Sequence, residues 1–264
     1  MYQLAVEQTH LGYIKDELSI NAAGYYSANF RGFELRTAYQ PIVSVDSNTS
    51  TEVFGYEGLL RCQKGTSYIS PPQFFSAVSE PDRLHVERLC HELHVKNWQP
   101  WHSSDGSLFI NLDVRLLESK RLSSRSIAVA ISKAQLWGVD PDQLVCEVIE
   151  SEAQSLSNLK YLGDCLKDLG VGIAVDDFGV DYSNIDRVKL LKPDYVKLDG
   201  DFFHRFSTNG RLLPMLRGLV QRLRNQGAEV IIEAVETEHQ RDTALDCDIS
   251  LMQGYLFGRP RMLS

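Results

Sequence analysis

The 264-residue chain is long enough for one large α/β barrel or two modest domains, and its apolar fraction of 43% and charged fraction of 23% are those of an ordinary globular protein. A formal net charge of −8 argues against a protein that coats a nucleic-acid polymer, but leaves open a small anionic substrate held through a metal ion. The five cysteines are scattered, odd in number and without a C-x-x-C pair, which reads as reduced thiols in a cytoplasmic protein. No signal-peptide pattern opens the chain, and no apolar run approaches the ~20 residues of a membrane span.

Residues 1–34 read as an N-terminal extension, an accessory helix or a dimer contact, with weak helical periodicity around Leu11 to Ile20. Residues 35–264 read as one domain. Short apolar or β-branched runs recur along it at Leu35–Val45, Val53–Leu60, Ser107–Leu112, Gln143–Ile149, Val171–Val175, Tyr195–Leu198, Glu229–Ile232 and Leu251–Phe257. Between them, Pro71–Asn97 and Ser151–Leu169 carry apolar residues at helical spacing, and Gly170 stands where a helix C-terminal glycine would. Eight strands, the later ones alternating with helices, point to a parallel α/β fold, and at this length to a (β/α)8 TIM-like barrel. A phosphate-binding glycine loop of the open-sheet kind is absent from the sequence.

Polar residues end these apolar runs. The second run carries Glu57 and Arg61, the third Asn111, the fourth Glu147 and Glu150, and the fifth Asp176 and Asp177. Lys197 and Asp199 follow in the sixth, Glu233 and Glu236 in the seventh, and Gln253 in the eighth. Barrel active sites gather at the C-terminal ends of strands, and a carboxylate there is costly to bury unless it is paired or metal-bound. The donor set is hard oxygen with no Cys/His group, which favours Mg²⁺ or Mn²⁺ over zinc. Adjacent Asp176 and Asp177 suit a two-metal centre for phosphodiester hydrolysis, with ions about 3.5–4 Å apart. In such a centre Lys197 would hold a water or a phosphoryl oxygen, and Glu233 would accept a proton or orient the nucleophile.

The ordered blocks AYQPIV, GYEGLLR, FINLD, CEVIE, VDDFGVDYSN, KPDYVKLDGDFF, IIEAVETEHQ and MQGYLFGRP, spanning residues 36 to 261, resemble the EAL-domain family of cyclic di-GMP phosphodiesterases. The resemblance implies hydrolysis of cyclic di-GMP to linear pGpG by a chain that carries two Mg²⁺ or Mn²⁺ ions. It implies metal ligands at Glu57, Asn111, Glu147, Asp176 and Asp177, with Glu236 counted beside them, and catalytic Lys197 and Glu233. It further implies substrate contacts at Gln40, Leu60, Arg61, Gln253 and Tyr255, a loop-anchoring role for Glu150, and a homodimer with no nucleic-acid or membrane partner. The alternative is a catalytically weak or inactive EAL domain that acts as a cyclic di-GMP receptor or a protein-interaction regulator.

Four departures from the family pattern stand out. Gly58 replaces the usual alanine of the naming tripeptide, Ile149 replaces a threonine, Val180 and Asp181 replace Thr-Gly in the loop after the paired aspartates, and Ala234 replaces a glycine as a small steric change. The HELH segment at His91 to His94 lacks the zinc spacing H-E-x-x-H and reads as ordinary helix surface. Cys62 reads as a small packed thiol, and the Trp98–Trp101 region as packing.

Overall fold

The computed structural model describes residues 18–98, 106–113, 124–148, 156–179 and 185–262. The eight runs anticipated as strands become the staves of one closed barrel: β3 (Phe33–Val45), β4 (Thr51–Lys64), β6 (Ser107–Leu112), β7 (Leu144–Val148), β8 (Gly172–Phe178), β9 (Tyr195–Leu198), β10 (Glu229–Ile232) and β11 (Leu251–Gln253). The barrel closes where β3 pairs with both β4 and β11. All the other barrel pairings are parallel, but β3 runs antiparallel to both neighbours. The connection explains this reversal. β3 and β4 are joined through residues 46–50, where Asp46 Oδ1 accepts the N–H of Asn48 and of Ser50 at 2.8 Å each. So short a turn permits a hairpin, whereas a parallel neighbour needs a long crossover.

The helices that cover the strands are α1 (Pro71–Ala77), α2 (Arg83–Trp98), α3 (Ser124–Leu136), α4 (Leu156–Asp168), α5 (Ile185–Leu191), α6 (Gly200–Ser207), α7 (Leu213–Arg224) and α8 (Glu238–Asp246). The helical segment anticipated over 71–97 is thus two helices, divided around Pro81, whose missing N–H and fixed φ suit a fresh start rather than a helix interior. Gly170 does end α4: it lies at φ +75°, and the N–H of Val171 reaches back to Leu166 O at 3.0 Å.

Of residues 1–34, 1–17 lie outside the described residues. Beyond them β1 (Ser19–Ile20) pairs with β2 (Tyr26–Phe30), which pairs with β3, so this segment joins the barrel's own sheet. Asn97 of α2 ties it down by side-chain bonds to both the N–H and the C=O of Tyr26, at 2.7 and 2.9 Å. No described helix is long and apolar enough to cross a membrane.

The strand period of two builds the barrel interior as layers. One layer is apolar: Ile42, Phe109, Val145, Ala174, Ile231 and Leu251, with Phe54 and Tyr195 packed on it. Two residues further along each parallel strand comes a polar one: Asn111 after Phe109, Glu147 after Val145, Asp176 after Ala174, Lys197 after Tyr195, Glu233 after Ile231 and Gln253 after Leu251. On the reversed β3 the same step runs backwards, from Ile42 to Gln40. The apolar layer excludes water below, and the polar layer faces the mouth above.

Candidate functional site

Lys197 occupies the centre of the polar layer. It is 1% exposed, and its Nζ lies 2.8 Å from Glu147 and from Glu233, 3.3 Å from Asp176 and 3.4 Å from Glu57. Burial works against its charge, but the Asp176, Glu147, Glu233 and Glu57 carboxylates outweigh it and hold the ammonium well above its ordinary pKa. Lys197 is therefore a fixed cation.

The carboxylates around it differ. Burial opposes ionisation of Glu57, yet the Lys197 charge and hydrogen bonds from Gln253 (2.7 Å) and Asn111 (3.2 Å) bring its carboxyl below the usual range. Glu147 is fully enclosed, and burial with the neighbouring Glu57 charge pushes its pKa well up despite Lys197. Glu233 is pushed up to about 7, by burial first and by Asp176 and Glu57 against the pull of Lys197. Asp177 is raised by burial and then by Asp176. One adjacent pair of carboxylates thus meets a third carboxyl whose pKa is raised to about 7.

Asp176 and Asp177 would point to opposite faces of a regular strand. A register shift between Val175 and Phe178, with Asp177 at φ +52°, breaks that alternation. As a result, carboxylate oxygens of Asp176, Asp177 and Glu233 lie within 4.8 Å of one another. Ala234 also has positive φ, +52°, and Gly200 makes room for it: a Cβ on Gly200 would sit 2.4 Å from that of Ala234. The alanine is therefore a backbone matter more than the small steric change anticipated.

Both Glu147 carboxylate oxygens, Asp176 Oδ1 and Gln253 Oε1 are buried without a well-aligned hydrogen-bond donor among the described residues, the Lys197 ion pairs notwithstanding. Orphaned acceptor oxygens of this kind suit a hard divalent cation. The residues present fit the metal that the sequence implies.

The anticipated substrate residues scatter more widely. Gln40 is in register with Glu57 and donates to Gly258 O at 3.3 Å. Arg61 donates to Leu60 O at 2.9 Å and has no carboxylate partner among the described residues. Leu60 is buried in the cluster formed by Phe30, Leu35 and Phe74, while lining the cavity beside Asn111. Tyr255 is 49% exposed, with the Arg259 guanidinium 4.2 Å from its ring centroid. Glu236 is exposed, its own N–H donating to Gln240 Oε1 at 2.8 Å. Asp199 caps α6 through Phe202 N at 2.8 Å. Glu150, Ile149, Val180, Asp181 and Trp101 lie outside the described residues.

The HELH segment is not ordinary helix surface. His94 is buried and bonded through Nδ1 to Thr37 Oγ1 at 2.9 Å, and His91 Nε2 meets Asn111 O at 2.8 Å. The signal was available: His94 lies four residues after Cys90 and eight after Val86, on the buried face of α2. Cys62 is packed as anticipated, its thiol pushed up to about 12 by burial, and all five cysteines are free. Trp98 packs against Tyr39 and Tyr56, at 5.8 and 5.4 Å between centroids.

Comparison with known proteins bears directly on this geometry. A family described as "EAL domain" matches residues 26–260. The cyclic di-GMP phosphodiesterase RocR of Pseudomonas aeruginosa is 30% identical over 86% of this chain and 57% of its own length. The oxygen sensor protein DosP of Escherichia coli is 27% identical over 94% of this chain and 30% of its own. Klebsiella pneumoniae BlrP1, solved as a manganese and cyclic di-GMP complex, superposes with a TM-score of 0.76 at 25% identity, covering 86% of this chain and 56% of BlrP1. BlrP1 has also been solved with calcium and cyclic di-GMP. The chain spans about a third to three fifths of the length of these curated relatives.

Proposed function

The chain belongs to the EAL-domain family, and from that premise we propose that it is a metal-dependent phosphodiesterase that hydrolyses cyclic di-GMP to linear pGpG. The observation that carries this reading is the set of buried acceptor oxygens on Glu147, Asp176 and Gln253 that no well-aligned donor satisfies, beside the Lys197 ammonium that is ion-paired with Glu147 and Asp176. Glu57, Asn111, Glu147 and Asp176 would hold one Mg²⁺ or Mn²⁺, and Asp176 with Asp177 a second. Bound there, the ions would supply Lewis-acid stabilisation of charge on the attacked phosphate.

The chain's own residues supply the rest. Glu233, held near neutrality, takes a proton from the attacking water as its oxygen bonds to phosphorus. The second proton ends on the sugar oxygen that leaves, so one phosphodiester opens and the product is linear. Lys197 offers a permanent positive charge to a phosphoryl oxygen. Arg61, free of any carboxylate partner among the described residues, supplies a guanidinium for phosphate. Gln40, Tyr255 and Gln253 would hold the dinucleotide. We further propose a homodimer.

The test is hydrolysis of cyclic di-GMP with Mn²⁺ or Mg²⁺ by wild type, Glu57→Ala and Glu233→Ala. Wild-type turnover to pGpG should fall by about 10²–10⁴ in Glu233→Ala and vanish in Glu57→Ala. Binding without turnover in wild type would leave the chain a receptor instead.

A further inference from the structure

β4 continues to Lys64 and β6 to Leu112, yet their parallel pairing stops at Gly58 opposite Ile110. Past that point β4 turns to pair with β5 (Ser67–Ile69), and a cavity of about 550 Å³ opens where both strand ends meet α1 and α2. The first β6 carbonyl beyond the last β4–β6 pair belongs to Asn111. It accepts a hydrogen bond from His91 Nε2 at 2.8 Å, and since a carbonyl can only accept, the ring must carry its proton there. One turn further along α2, His94 bonds to Thr37 of β3 at 2.9 Å and lies across Gly58. A Cβ on Gly58 would approach the His94 Cγ and Cβ to 3.1 and 3.2 Å, so glycine seats this ring. The two strand ends that α2 touches in this way carry Glu57 and Asn111, whose side chains bond to each other at 3.2 Å.

We infer that His91 and His94 brace the ends of β6 and β4 from α2 and so hold Glu57 and Asn111 in place, with His91 the positioning residue for the Asn111 ligand. The inference rests on the metal-binding reading above, since the spacing matters through the ion these side chains would share. It also accounts for two features the reaction itself does not use, the HELH segment and the glycine at position 58.

The test takes metal-stripped wild type, His91→Leu and His91→Gln, and titrates each with Mn²⁺ by calorimetry alongside thermal midpoints and steady-state kinetics. Loss of the donor in His91→Leu should weaken Mn²⁺ binding and lower kcat by about 10–100-fold, the range for residues that orient metal ligands, with KM for cyclic di-GMP unchanged. His91→Gln, which can still donate, should stay within about threefold of wild type. Equal Mn²⁺ affinity in wild type and His91→Leu would overturn the inference, as would equal losses in His91→Leu and His91→Gln. A wild type that takes up no Mn²⁺ would sink the metal reading itself, and the inference with it. Should His91→Leu fail to fold, Gly58→Ala takes its place: affinity should drop and return in Gly58→Ala/His94→Ser, and absence of that rescue overturns the bracing role.

Discussion

Replacing Lys197 by methionine removes a cation in contact with four carboxylates while keeping most of the side-chain volume. Each of the four oxygens lies 2.8–3.4 Å from Nζ, and the ammonium is almost completely enclosed. Removing one partner of a buried ion pair costs about 3–5 kcal/mol, because the charge left behind has neither water nor a counter-ion. In a chain of this size that corresponds to a thermal midpoint lower by about 6–20 °C. The loss belongs to the metal-free protein near pH 8. It should shrink towards pH 5, where the orphaned carboxylates can take up protons instead. Saturating Mn²⁺ should return most of the stability, since divalent charge would replace the ammonium's. The assay is thermal unfolding of wild type and Lys197→Met with chelator and with Mn²⁺, at both pH values. A metal-free Lys197→Met as stable at pH 8 as wild type would refute the idea that the ammonium holds this cluster together.

Two further outcomes are expected. Burial, then the nearby His91 and Arg61 charges, depress His94 to about 3, so the unfolded chain binds a proton that the folded chain refuses. The contribution of neutral His94 is fully present above pH 6.5 and is lost as pH falls towards 3, at about 1.4 kcal/mol per unit. Urea midpoints should therefore fall more steeply on acidification in wild type than in His94→Asn, and parallel pH curves would count against the assignment. Gly200→Ala places a Cβ 2.4 Å from that of Ala234 and should destabilise by about 1–3 kcal/mol through overpacking. Ala234→Gly should recover that loss, and strictly additive effects in the double variant would show that the two positions do not press on each other.

Much of the barrel was legible in the sequence because its strands are short, apolar and punctuated by polar ends. The step from Phe109 to Asn111, Val145 to Glu147 and Tyr195 to Lys197 is a strand period that any parallel stave must present to the barrel axis. The reversal of β3 was less visible, since an apolar run carries no sign of its direction, and only the short turn after Val45 does. Burial of the α2 histidines escaped notice for a different reason. An imidazole is polar enough to suggest surface, and its burial depends on hydrogen-bond partners contributed by β6 and β3 from elsewhere in the chain.

The strained backbone positions lie next to the groups proposed to react, and the two cases differ in kind. Asp177 at φ +52° is within the tolerance of aspartate, whose short side chain visits the left-handed region more readily than most. There the strain turns one strand end into two converging carboxylates, a placement regular alternation cannot produce. Ala234 at the same φ has no such tolerance, and its conformation costs about 1–2 kcal/mol that a glycine would avoid. Its neighbour Glu233 donates its N–H to Leu198 O at 3.1 Å, and Val235 donates to Gln253 O at 3.0 Å. Both flanking residues are thus tied to barrel strands, and residue 234 must absorb the turn between them. Glu233 keeps its place against Lys197 because the strands on either side over-determine it, so Ala234→Gly should relieve strain without releasing the carboxylate.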